Sequence, residues 1–432
     1  EKTKVAIVGL GTVGSGVARL LLDHGDRTAR HAGRTLWLEK VVVRDFGKCR
    51  DCELPQGVLT QDLNDVLRDP EIQVVAQLIG GLEPARSIML QLLEAGKDVV
   101  TANKALLAEH GPELFDRARS LGRCIAFEAA VAGGIPIITN VSQCFSANQV
   151  QSLQGILNGT SNFIVSQMDE QGWSYDAAVQ EAQRLGFAEA DPTMDVDGTD
   201  AAQKLAILAH LAFGARLRWQ DIPRVGIESL EATDLRFAKE LGYRIKLIAG
   251  ARLTSAGLEL NVSPTLIRIG HPLAEVRANY NAISVVGDAV GDIFFHGQGA
   301  GQMPTASAVV ADMIDTAVGR TPITFRTLEL WSNRESPVAQ RPDDDLPGRY
   351  YMRFQVADEP GVMAQLTAIL GRHQLSISSI IQHESEPRCP AATVQLVIMT
   401  HEAPEGAARR AEEEIMRLPV VSGESVRMRV ME

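Results

Sequence analysis

The feature that most constrains this chain is a run near its start, Val5-Ala6-Ile7-Val8-Gly9-Leu10-Gly11-Thr12-Val13-Gly14. Four apolar residues of strand-forming type lead into G-x-G-x-x-G, and Val13, Val17, Leu20 and Leu21 then fall at helical spacing. A strand, a glycine turn and an amphipathic helix in that order form the local setting in which a backbone loop holds a pyrophosphate. Gly9 permits the tight turn, Gly11 lets the backbone approach the ligand, and Gly14 allows close helix packing. The helix start, with Leu10, Thr12 and Val13 around it, supplies free N–H donors and a positive dipole end.

The next strand-like run, Leu36 to Val43, ends in Arg44-Asp45, where a dinucleotide fold meets the adenosine ribose. An acidic residue there suits the hydroxyls of NAD, and an arginine suits the phosphate of NADP. With Lys48 and Arg50 close by, the reading leans to NADP or to use of both cofactors. Further strand-like runs, Val74 to Ile79 and Val99 to Ala102, alternate with helical patterns, the signature of a parallel α/β layer. Leu78-Ile79-Gly80-Gly81 and Thr101-Ala102-Asn103-Lys104 follow those runs, which places Gly80, Thr101 and Lys104 on the carboxyl edge where such sheets bind ligands. Lys104 is then expected to point toward the nicotinamide.

Beyond residue 140 the pattern changes. A helix-rich stretch, Tyr175 to Gly214, precedes strand-like runs at Lys246 to Leu253, Leu258 to Pro264 and Ala282 to Val290, which suggests an α+β domain. Residues 331–349, with Pro337, Pro342, Pro347-Gly348 and three consecutive aspartates, read as a linker. Residues 350–432 then follow a β-α-β-β-α-β order, the ferredoxin-like split pattern. The expected division is 1–139 for the dinucleotide-binding domain, closed by a returning segment near 299–320, with 140–320 for a catalytic domain that also makes the dimer contact.

Composition excludes several classes of function. A net charge of -12 argues against a nucleic-acid partner and against acidic lipid surfaces. No apolar run approaches the roughly 20 residues of a membrane span, and the start Glu1-Lys2-Thr3-Lys4 does not read as a signal peptide. Five cysteines make no disulfide framework, so a reducing, cytoplasmic setting is expected. Cys49 and Cys52 form one C-x-x-C pair without a second pair or a nearby histidine, and a plain loop is the simpler reading.

The most informative stretch runs from Gly186 through Phe187, Glu189, Asp191, Pro192, Asp195, Asp197 and Asp200 to Lys204. Pro192 and Gly198 imply a loop, and a helix begins near Thr199, on which Asp200 and Lys204 stand four apart and share a face. The spacing does not follow a twelve-residue calcium loop.

At this point the chain resembles the homoserine dehydrogenases, over Val5 to about Thr316. The resemblance rests on Gly186–Lys204, on Phe127-Glu128-Ala129-Ala130-Val131-Ala132-Gly133-Gly134-Ile135-Pro136, on Gly155-Ile-Leu-Asn158-Gly159-Thr160-Ser-Asn162, and on Gly299-Ala300-Gly301. It implies reduction of aspartate 4-semialdehyde to homoserine with NADP or NAD. It also implies Lys204 as proton donor, Lys104 as a second catalytic lysine, and Asp200 as the carboxylate that orients the lysine. Glu189, Asp195, Thr160 and Gly159 would face the substrate, and Gly301 the cofactor. Members bind a monovalent cation, usually sodium, which the resemblance places on Glu128, Val131, Gly133 and Ile135. Many members carry proline where this chain has Gln298, so a slightly different loop is expected there.

The C-terminal domain looks like an ACT module, with Asp358 and Gly361 at its strand-to-helix turn. That implies an amino-acid effector, threonine being the pathway product, and a homodimer or homotetramer. Removing the chain after about Arg341 is expected to abolish inhibition and leave activity. Two other readings compete: a phosphorylating semialdehyde dehydrogenase, which would need Cys124 or Cys144 as nucleophile, and a non-catalytic amino-acid sensor.

Overall fold

The apolar run Val5–Val8 becomes a strand buried on both faces, which is why it reads as uninterrupted hydrophobics. The computed structural model describes residues 2–48, 50, 52–332, 338–383 and 393–431, so Cys49 of the C-x-x-C pair and part of the expected linker lie outside the described residues. The chain gathers into two compact units, each built from three stretches: Glu1–Leu153, Ala202–Ile222 and Asn281–Val338 in the first, and Gln154–Ala201, Pro223–Tyr280 and Ala339–Glu432 in the second. The chain leaves each unit and returns to it, and the segment near 299–320 expected to return to the first domain lies within Asn281–Val338 of the first unit.

The first unit holds a six-stranded parallel sheet of β1 (Lys2–Val8), β2 (Thr35–Val42), β3 (Leu59–Thr60), β4 (Ile72–Gln77), β5 (Asp98–Thr101) and β6 (Ile125–Ala126). Their order, β3-β2-β1-β4-β5-β6, reverses direction between β1 and β4, and an open sheet binds its ligand at such a switch point. This is the Rossmann-type layer expected. Val5, Ile7, Val74, Ala76 and Val100 from the sheet share one core with Val17 and Leu21 of the helix Thr12–Asp23. Val309, Val310 and Met313 of the late helix Gln302–Ala317 enter the same core.

After β7 (Val150–Ile156), the second unit contains β8 (Tyr243–Thr254) and β9 (Gly257–Arg268), antiparallel along their whole length, and the first unit regains β10 (Tyr280–Gly287) and β11 (Gly291–Gln298). The C-terminal stretch adds β12 (Pro347–Ala357), β13 (Ile377–Gln382), β14 (Thr393–Thr400), the two-residue β15 (Ala403–Pro404) and β16 (Val421–Met431). With the helices Val362–Arg372 and Glu405–Ile415 between them, these give the β-α-β-β-α-β order read from the sequence. β12 starts at Pro347, inside the stretch expected to be linker.

The C-terminal sheet does not stand apart in its unit. β16 pairs parallel with β9, Arg429 to Met431 against Thr265 to Ile267, so that β9, β16, β12, β14 and β13 continue one another. A second tie is ionic. Asp234, fully buried in the helix Ala232–Glu240, accepts from Tyr351 Oη at 2.9 Å and from Arg353 Nε at 2.7 Å. Among the described residues, no helix is long and apolar enough to cross a membrane.

Candidate active site

A groove of about 670 Å³ opens at the carboxyl ends of β1, β2 and β4, the size of a small-molecule pocket. Its lining includes Gly9, Leu10 and Gly11 after β1, Arg44, Asp45, Lys48 and Arg50 after β2, and Leu78 and Ile79 after β4. Gly9 has φ +100° and its N–H donates to Val42 O, so the turn needs a residue tolerant of the left-handed side. A Cβ on Gly14 would lie 2.1 Å from the Gly9 carbonyl, so a hydrogen there is what lets the helix start so close to the turn. Gly11 faces open space and caps the helix in which Thr12 and Val13 form the first turn. The loop beyond β2 is held by its own side chains on its backbone: the Arg50 guanidinium donates to the carbonyls of Asp45, Phe46 and Lys48, and Asp45 Oδ1 accepts from Gly47 N at 2.7 Å.

The strand ends beside this groove are cross-tied. Thr101, read from the sequence as a cofactor contact, is fully buried, with its hydroxyl donating to Gln77 Oε1 and accepting from Asn103 N. Its side chain therefore aligns β4 with β5. Asn103 caps the helix Lys104–Ser120 through Leu106 N, and its amide donates to Ile79 O at 3.0 Å and Gly81 O at 2.7 Å. It thus ties the Gly80-Gly81 loop to the helical turn that begins with Lys104. Asn103 and Gln77 escaped the sequence reading; the cap position of Asn103 was the available signal.

In the second unit the acidic stretch folds around one amide. Asn158, only 4% exposed, caps the helix Gly159–Gln171 by accepting from Ser161 N at 2.7 Å. Its Nδ2 donates to Asp195 Oδ1 at 2.7 Å and to Asp200 Oδ2 at 2.8 Å. Ser161 Oγ donates to the Asp195 carbonyl, and Thr160 Oγ1 to the Phe187 carbonyl. Asp200 is buried in the first turn of the helix Thr199–Phe213, and Lys204 follows four residues later on the same helix. Glu189 is exposed, and its backbone carbonyl accepts from Gln183 Nε2 at 3.2 Å. In the same first turn of the capped helix, Asn162 Nδ2 donates to the carbonyls of Ala278 and Tyr280, and its Oδ1 accepts from the buried Lys246 ammonium. Burial lowers the Lys246 pKa to about 8, opposed by the Asp169 carboxylate.

The turn from Glu128 to Ile135 lies in the first unit. The Glu128 carboxylate accepts from Ile138 N, Thr139 N and Thr139 Oγ1. Burial raises its pKa, and burial next to Glu128 raises that of Asp312 strongly. Val131 and Gly133 are buried, and among the described residues no donor reaches their carbonyl oxygens. A Cβ on Gly133 would meet Thr305 Oγ1 at 2.9 Å and Gly299 O at 3.0 Å. Among the described residues, no cluster of three or more His, Cys, Asp or Glu could hold a metal. What the turn offers is buried backbone carbonyls, a donor set that suits a hard monovalent cation. Gly301, at φ +128°, caps the helix Gln302–Ala317.

The comparisons with known proteins agree over the full length. The homoserine dehydrogenase family matches residues 136–314, and the NAD-binding domain of homoserine dehydrogenases matches residues 9–128. The homoserine dehydrogenase of Pseudomonas aeruginosa is 44% identical, covering 100% of this chain and 99% of its own. The chain belongs to the homoserine dehydrogenase family. It is an oxidoreductase whose first unit carries the NAD(P)-binding layer. A crystal structure of a homoserine dehydrogenase from Thiobacillus denitrificans has a TM-score of 0.91 at 41% identity, covering 100% of this chain and 99% of that one. A hyperthermophilic archaeal homoserine dehydrogenase, solved in complex with NADPH, has a TM-score of 0.61 at 25% identity and covers 74% of this chain and 98% of that one.

Residues 350–420 match the ACT domain. Its first turn carries Asp358, whose carboxylate meets Gln382 Nε2 at 3.5 Å, and Gly361, at φ +92° before the helix Val362–Arg372. An ACT domain on a biosynthetic dehydrogenase suggests regulation. The cysteine-dependent alternative is not favoured by the family, and Cys124 is buried with its thiol pushed far up by desolvation, the opposite of an activated nucleophile.

Proposed function

We propose that this homoserine dehydrogenase reduces L-aspartate 4-semialdehyde to L-homoserine with NADPH in preference to NADH. The observation that carries the reading is the pairing of Asp195 and Asp200 on one amide, with Lys204 one helical turn beyond Asp200. A bound nicotinamide supplies the hydride. The Lys204 ammonium then gives a proton to the oxygen of the reduced aldehyde, so that hydride and proton together account for the alcohol. Asp200 orients that ammonium, Lys104 adds positive charge beside the developing alkoxide, and Glu189 with Asp195 receives the ammonium end of the amino acid. Thr160 and Gly159, at the start of their helix, face the same ligand.

Gly9 to Gly14, with Gly80 and Gly301, would hold the dinucleotide. Arg44 and Lys48, in the lining of the groove, supply the charge that a ribose phosphate needs, and a relative's complex with NADPH supports that preference. The carbonyls of Val131 and Gly133, with those of Glu128 and Ile135, suit sodium, which would stiffen the turn. Threonine is the effector we assign to the ACT domain, in a homodimer or homotetramer working in the cytoplasm.

The test is oxidation of NADPH in the presence of aspartate semialdehyde, with Lys204→Ala alongside. The variant is expected to lose about 10²- to 10⁴-fold in kcat, the range of general acid catalysis, while its KM for NADPH holds. Near-normal turnover in Lys204→Ala ends the assignment.

A further inference from the structure

Capping a helix requires one acceptor atom, and serine, threonine or aspartate would serve at position 158 as well as asparagine. Only asparagine among those four adds two N–H donors on the same short side chain. Here both are used, on carboxylates five residues apart in the chain, Asp195 Oδ1 at 2.7 Å and Asp200 Oδ2 at 2.8 Å. The acceptor end is used as well, by Ser161 N at 2.7 Å. The assignment of O and N in this amide follows from its partners. Flipped, it would set its oxygen against two carboxylates and its NH₂ against a backbone N–H.

We propose that Asn158 is a positioning residue that holds the Asp195 and Asp200 carboxylates in one fixed geometry before substrate arrives. This deepens the reading above and rests on it, since it assigns a support to the carboxylates that reading uses. Two anions drawn to one place repel, and without a donor between them they would splay or one would take up a proton. The amide offsets that repulsion at a buried position, where a hydrogen bond to a charged group is strong. Its neighbours act in the same sense. Ser161 Oγ holds the Asp195 carbonyl at 2.7 Å and Thr160 Oγ1 the Phe187 carbonyl at 2.8 Å, so one helical turn grips the acidic stretch at Phe187, Asp195 and Asp200. Asp200 then enters the helix Thr199–Phe213 with its carboxylate already oriented, one turn before Lys204.

Two variants separate this role from the cap. Asn158→Asp and Asn158→Ser each keep an oxygen for Ser161 N and lose both N–H donors, and the single hydroxyl of serine cannot bridge two carboxylates. Asn158→Ser is expected to retain the thermal midpoint to within a few degrees, Asn158→Asp to melt lower because it adds a third carboxylate at a buried position, and both to bind NADPH as the parent does in a fluorescence titration. kcat should fall about 10- to 100-fold, and KM for aspartate semialdehyde should rise while KM for NADPH does not, as befits a misplaced active group. Parent kcat and KM in Asn158→Ser would overturn the proposal by reducing the side chain to a cap. Loss of the fold in both variants would overturn it too, by making the amide a stability element. Lys204→Ala run in parallel separates the failures. If that variant is inactive and Asn158→Ser is normal, only the Asn158 role falls; if Lys204→Ala is active, the catalytic reading falls first.

Discussion

At the residue scale, the strongest commitments are buried polar groups whose protonation the fold dictates. His210 is 7% exposed and stacked 4.5 Å from the Trp331 ring. Its Nε2 accepts from Trp331 N at 2.8 Å, so the ring must be the tautomer whose Nδ1–H donates to Ala215 O at 2.9 Å. Burial lowers its pKa to about 4, helped by Arg216 and Arg119 and opposed by the bond to Ala215. Between that value and about 6.5 the unfolded chain binds the proton and the native ring does not. The contribution to stability is thus complete above about 6.5 and is lost as pH falls toward 4. Urea titrations across that interval should show His210→Gln losing less stability on acidification than the parent, by up to about 3 kcal/mol, with a lower starting stability at pH 7. Parallel curves for the two proteins would refute it. Residues whose task is written in a local motif, such as Gly9 and Gly14, were legible in the sequence. The tie from Thr101 to Gln77 was not, because that partner stands on another strand and no local motif announces it. Asn158 could be read as a cap but not as a clamp, since the clamp depends on where residues 195 and 200 return.

At the scale of elements, alternation and glycine turns sufficed for the parallel layer and for the β-α-β-β-α-β order near the C-terminus. What they could not convey was β16 lying beside β9, since a parallel pairing across so many residues has no local signature. The ionic tie was equally hidden, because Asp234 at the start of a helix looks like an ordinary cap, and its side chain does accept that role with Glu231. In the fold it is also the buried partner of Arg353, which is 2% exposed. Removing one member of such a pair strands the other charge in the interior, so Arg353→Met should cost about 3–5 kcal/mol in chemical denaturation. Arg353→Met with Asp234→Leu should recover much of that loss, because no unpaired charge remains. A single variant as stable as the parent would show the pair to be incidental.

For the molecule as a whole, the interleaving of the two units changes what a deletion can report. The sequence suggested that cutting after about Arg341 would detach a regulator and spare the enzyme. In the fold, that cut takes β16 from the edge of β9 and takes Tyr351 and Arg353 from Asp234. An exposed apolar edge at Leu266 and Ile267 is a template for association, and both residues are fully buried in the intact chain. The truncated protein is therefore expected to unfold at lower denaturant and to elute as larger species in size-exclusion chromatography, so any loss of inhibition in it would be uninterpretable. Regulation has to be probed with the sheet intact. If the ACT turn holds threonine, the coupling is a difference in its affinity for two conformations of the enzyme, and weakening the turn should weaken inhibition without cutting the chain. Asp358→Ala removes a carboxylate from an exposed turn, leaving the buried joint at Asp234 and the β9–β16 ladder untouched. The threonine concentration for half-inhibition of NADPH oxidation should rise about tenfold, within the usual range of coupling energies. An unchanged inhibition curve in Asp358→Ala, with the parent fully sensitive, would move the effector away from this turn. Insensitivity of the parent itself would remove threonine as the ligand.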